Sequence, residues 1–128
     1  MTVLAVVFAA LASALHVWIF VMESIRWEQP STRRTFQMSA EEAAATREMA
    51  YNQGFYNLFL AIVTVIGLVL IGADQTAAGR ALVFAGCGSM LAAAVVLVVR
   101  SPGRLRAGIA QGTAPLLAVV FLALSIPS

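Results

Sequence analysis

The chain has 128 residues, of which 61% are hydrophobic and 11% charged, and its mean hydropathy is +0.91. That balance excludes an ordinary soluble domain and makes a single membrane domain over residues 1–128 the expectation. The net charge of +2 rests on eight arginines without a lysine, scattered among loops, and they form no basic stripe of the kind nucleic acid requires.

Four stretches, at about 3–22, 54–72, 81–99 and 107–126, approach the ~20 apolar residues that a helix needs to cross a bilayer. They are continuous instead of alternating, and lipid leaves no partner for open backbone groups, so helices are expected and strands are not. The predicted fold is all-α: a polytopic membrane four-helix bundle. In the first stretch, Ala12-Ser13-Ala14 imitates a cleavage site for a leader. No Lys or Arg precedes it and the apolar run continues beyond, so the segment reads as a span. A helical wheel places Ala5, Ala9, Ser13, His16, Phe20, Glu23 and Trp27 within one sector of about 80°. Small residues there permit close approach of a neighbour, and His16 and Glu23 add ionisable groups to the same stripe.

Residues 24–53 read as a polar loop followed by a helix extension. Pro30 and Ser31 mark a turn. Ser39 and Glu42 have capping-box spacing, so the second long helix is expected to start near Ala40, with Glu41 and Glu42 complementing its positive end. Gly54 either lies within an unbroken helix or kinks it. Arg33 and Arg34 read as anchors to lipid headgroups. On the second helix Asn52 and Tyr56 share a face, with Gln53 and Asn57 on its flank. Asp74 and Gln75 read as an ordinary turn. The third helix carries Gly79, Gly86 and Gly88 and the run around Ala92 to Ala94, which suit close contact within a chain or between chains, and self-association into a homo-oligomer is expected. Cys87, the lone cysteine, excludes an intrachain disulfide and reads as a small packing residue. The fourth span brings Gln111, Gly112 and then Pro115, which can bend a helix and free carbonyls.

Seven of the eight arginines fall in the first and third connections and only Arg80 in the second. The positive-inside rule then places both arginine-bearing connections in the cytoplasm and both termini outside, in a cell inner membrane. On that topology Glu23, Asn52, Tyr56, Asn57 and Gln111 gather near one interface, with His16 ~10 Å deeper by helical rise. These six residues are the ligand-binding candidates of an inner-leaflet polar pocket, whose expected occupant is an amphiphilic small molecule with its tail in lipid. Three other readings use the same residues differently. They could fasten one helix to another by hydrogen bonds, serve a membrane-embedded enzyme with His16 or Glu23 as acid or base, or serve a proton-coupled transporter. An accessory subunit with no chemistry is the fourth alternative. With one His, one Cys and no phosphate-binding glycine loop, no catalytic residue can be named, and no metal or cofactor is expected. Membrane lipids are the expected partners.

The order His16, Glu23, Trp27, Pro30, Phe36, followed by "NQGFYNLFLA" from Asn52 to Ala61, resembles the bacterial family known as domain of unknown function 1304, small four-helix membrane proteins. The resemblance extends over most of the chain, with the Asn-Gln-Gly-x-Tyr-Asn block its most specific part. It implies a fold and a membrane location and brings no reaction with it. Arg47 and Asn52 also give a looser architectural similarity to the membrane-associated enzymes of eicosanoid and glutathione metabolism, although their spacing differs by a residue and the acidic residue after the Asn is missing.

Overall fold

A computed structural model describes residues 2–127, and the described residues are helical apart from short connections. The long elements are α1 (Thr2–Phe20), prolonged by a π-helical segment (Val21–Ile25), then α3 (Ala40–Gly72), α4 (Thr76–Arg100) and α5 (Leu105–Leu124). A short α2 (Pro30–Phe36) lies between the π-helical segment and α3. Four stretches are long and apolar enough to cross a membrane: Thr2–Ile25, Ala40–Gly72, Thr76–Arg100 and Pro102–Leu124. The protein is therefore an all-α, multi-pass membrane protein.

Contacts gather the chain into two units, one formed by the residues through Leu15 together with Leu60 onward, the other by His16–Phe59. The first unit is built on small residues. Ala5, Ala9 and Ala12 of α1 form one core cluster with Val83, Cys87 and Met90 of α4 and Ala118 and Leu122 of α5, and Phe8 stacks on Phe121 at 5.8 Å. A Cβ built on Gly67 would lie 2.8 Å from the Gly79 carbonyl oxygen, and one on Gly79 would lie 2.6 Å from that of Gly67, so α3 and α4 cross backbone to backbone. About two turns further along α4, Gly86 faces Thr64, a fully buried residue whose hydroxyl donates to the Leu60 carbonyl at 2.9 Å. Lipid tails are as apolar as leucine, so helices in a bilayer gain by this close van der Waals contact and little by hydrophobic burial. Gly79 and Gly86 thus serve contacts within the chain, whereas Gly88 has no neighbour where a Cβ would lie. Cys87 is buried in the same core, the packing role its neighbours suggest. The turn at Asp74 places that residue at a φ of 63° and joins α3 to α4. Pro115 lies buried in α5, which continues through it to Leu124.

The second unit depends on polar and aromatic contacts. At the start of α3 the capping box forms as the spacing predicts: the Glu42 amide donates to Ser39 Oγ at 3.1 Å, and the Ser39 amide to Glu42 Oε1 at 3.2 Å. From there α3 passes through Gly54 without a break. Two local readings change. Pro30 and Ser31 open a helical turn instead of a loop turn, because Pro at the first helical position has a preset φ and needs no donor. The wheel drawn at a constant 100° also loses its register after Phe20, where the Arg26 amide donates to the Val21 carbonyl five residues back at 2.9 Å. That wider turn inserts an extra residue and re-aims Glu23 and Trp27.

Candidate functional site

The site is built where the π-helical segment meets the first half of α3. Gly54 makes that approach possible, since a Cβ there would collide with Ser24 Oγ. Ser24 uses the space to donate its hydroxyl to the Tyr51 carbonyl at 2.8 Å. Phe20 meets Phe55 edge to face at 5.0 Å just beyond. One residue before Ser24, Glu23 accepts a hydrogen bond from Asn57 Nδ2 at 2.7 Å. The same amide nitrogen donates to the Gln53 carbonyl at 3.1 Å, so both its protons are used and the Asn57 side chain is held in one orientation.

Beside this pair opens a cleft of about 430 Å³, a size typical of small-molecule sites. Glu23, Glu28 and Glu48 supply acceptors to its wall, and Arg26, Arg47 and Asn52 supply donors. Arg47 also reaches Glu28 at 3.4 Å. Trp27 closes one side, fixed by an edge contact with Phe36 of α2 at 4.9 Å and by donation from its indole nitrogen to Thr46 Oγ1 at 3.2 Å. On the α3 side Tyr51 lines the cleft and begins an aromatic row: its ring lies 5.0 Å from that of Phe55, which lies 6.2 Å from that of Phe59. Tyr51 and Phe59 are each more than half exposed. Positions i, i+4 and i+8 share one helix face, so the row runs from the polar cleft along α3.

The six residues singled out from the sequence divide as follows. Glu23 and Asn52 line the cleft, and Asn57 holds Glu23 from the side. His16 is buried, at 2% exposure, and is not among the lining residues. Tyr56 is half exposed and also lies off the cleft wall. Gln111 belongs to α5 and so to the other unit. Lining residues not singled out as ligand-binding candidates include Ser24, Arg26, Trp27, Glu28, Arg47, Glu48 and Tyr51. The pairing of a glycine in one helix with a serine in a π-helical segment leaves no mark in local sequence, but the Tyr51, Phe55, Phe59 spacing was visible and could have drawn attention to that face. Among the described residues no three His, Cys, Asp or Glu side chains converge as a metal site, and every buried side-chain nitrogen and oxygen has a hydrogen-bond partner.

A family model described as "Protein of unknown function (DUF1304)" matches residues 10–123. Comparison with curated proteins and with solved structures gives no match.

Proposed function

The chain belongs to the DUF1304 family of proteins of unknown function, and from that premise we propose that it binds an amphiphilic small molecule in the cleft beside Glu23. The observation that carries this reading is the continuity of a polar cleft with an aromatic row on one face of α3, from Tyr51 through the half-buried Phe55 to Phe59, exposed at its two ends. A head with both donor and acceptor groups suits a wall that presents carboxylates and guanidinium groups together. An apolar tail suits the aromatic row, whose rings offer large contact area at little conformational cost. Glu23, Asn52 and Asn57 are the residues assigned to the head. His16 and Tyr56 do not line the cleft and Gln111 belongs to the other unit, so none of the three is assigned to the head. The proposed setting is a four-helix bundle in a cell inner membrane with the arginine-bearing connections cytoplasmic, which the arginine distribution supports. The cleft, formed partly by Arg26 at the end of the π-helical segment and Arg47 in the first turns of α3, then opens on the inner leaflet.

The test is mass-spectrometric identification of small molecules that accompany the purified protein, in wild type and in Glu23→Gln, Asn52→Leu and Tyr56→Leu variants. Binding at the cleft predicts that the first two variants lose the companion at unchanged folded yield, while Tyr56→Leu keeps it. Loss of folded yield in Glu23→Gln and Asn52→Leu alike would instead make the polar contacts fasteners between helices.

A further inference from the structure

A second cavity, separate in its lining from the cleft beside Glu23, carries a different chemistry. It is a shallow groove of about 380 Å³ along α2, open to solvent and lined by Pro30, Arg33, Arg34, Gln37 and Met38. Two guanidinium groups and a carboxamide face it, and no carboxylate does. Among the described residues neither Arg33 nor Arg34 is paired with an acidic side chain.

Arginines in the last turn of a helix have an ordinary task, which is to satisfy terminal carbonyls. Here that task is already done by the backbone. Gln37 adopts a left-handed conformation at φ 55°, and the Met38 and Gln37 amides donate to the Arg33 and Arg34 carbonyls at 3.0 and 3.3 Å. Arg33 is instead tethered through Nε to the Glu28 carbonyl at 3.3 Å, which orients its guanidinium and leaves the terminal nitrogens as donors. The opposite face of α2 is held in place by Thr32, buried to 2% exposure, and by Phe36 against Trp27. The two arginines are thus presented by an anchored element, not by a loose loop. α2 begins five residues beyond Ile25, the last residue of the first membrane-spanning stretch, which keeps it within reach of the lipid headgroup layer.

We propose that the arginine-lined cavity on α2 binds the phosphate group of an anionic phospholipid. Guanidinium groups match phosphate oxygens in geometry as well as charge, and a cavity free of carboxylates favours an anion over the zwitterion suited to the cleft beside Glu23. The lipid is assigned as the source because the carrier is a membrane protein whose cavity follows directly on a span. Free phosphate shares the same chemistry and is the alternative the experiment separates.

Native mass spectrometry of the full chain, released from nanodiscs of mixed phosphatidylglycerol and phosphatidylcholine, measures which lipid is retained. The wild type is expected to retain phosphatidylglycerol preferentially, and Arg33→Gln/Arg34→Gln to lose that preference by about fivefold per arginine at low ionic strength, the equivalent of about 1 kcal/mol each. Arg34→Gln alone, which touches no internal hydrogen bond, serves if the double variant does not fold. Arg104→Gln/Arg106→Gln removes equal charge from another connection and is expected to leave the preference intact. An equal loss in that control would mean general surface charge, and an undiminished preference in Arg33→Gln/Arg34→Gln would mean that the lipid sits elsewhere; either overturns the proposal. Displacement of the lipid by millimolar inorganic phosphate would assign the cavity to free phosphate and overturn the lipid assignment. Companion loss in Glu23→Gln leaves this result untouched, so the two sites are tested independently.

Discussion

The two units of this chain solve the same problem with different materials. In the unit formed by the residues through Leu15 and from Leu60 onward, alanines and glycines let helices meet at their backbones, and the core holds no charged side chain. In the unit His16–Phe59, contacts are made by Ser24, Trp27, Thr46 and Asn57 through hydrogen bonds, with phenylalanine rings between them. Dry contact leaves no room for change, because a backbone carbonyl cannot move aside as a side chain can. Polar contact keeps groups that water or a ligand can also satisfy, and the clefts with functional promise lie there. A membrane protein can thus place rigidity and recognition in separate stretches of one chain.

The difference can be tested by overfilling each unit. Gly79→Val places a side chain against the Gly67 carbonyl and Ile71, neither able to yield without moving α3, and is expected to destabilise by about 3 kcal/mol in unfolding from detergent micelles. A milder result, below about 1 kcal/mol, would mean that this contact is looser than its geometry. In the polar unit Gly54→Ala displaces Ser24 and breaks its bond to the Tyr51 carbonyl, with an expected cost of about 2 kcal/mol. Adding Ser24→Ala should recover part of that loss, and a double-mutant cycle on the pair measures the coupling directly. Full additivity would show that the two residues do not meet.

Smaller effects sharpen the contrast. Asn57→Leu removes the amide that holds Glu23 and is expected to cost about 1 kcal/mol, since a carboxylate at the edge of a cleft can regain water. A loss several times larger would place Glu23 in a dry interior and move it from the recognition side of the comparison to the packing side. Arg47→Gln breaks an ion pair whose partners are 68% and 46% exposed, and its effect on the unfolding midpoint is expected to be near zero, at most about 0.5 kcal/mol.

Much of this architecture was legible in advance because the bilayer imposes it. Long unbroken apolar runs allow little but helices, and the spans follow from counting. The capping box at Ser39 and Glu42 was equally readable, being a bond between residues three apart. The stripe Ala5, Ala9, Ser13 and His16 is buried as its periodicity indicates. Periodicity failed at the one place where the helix changed its own pitch, so the positions of Glu23 and Trp27 could not be read from a constant angle.

What the sequence by itself determined, then, is the class of the protein: an all-α chain with several membrane passages, with the start of α3 written in Ser39 and Glu42. Tertiary structure alone decided that Ser24 sits over Gly54, that Asn57 reaches Glu23 across 34 positions of chain, and that Arg33 and Arg34 face a cavity without acids. The reason is one of range. Solvent and backbone act on each short segment separately and leave a local signature, whereas a cleft exists only where distant segments are brought to within a few ångströms, and no single segment records that meeting.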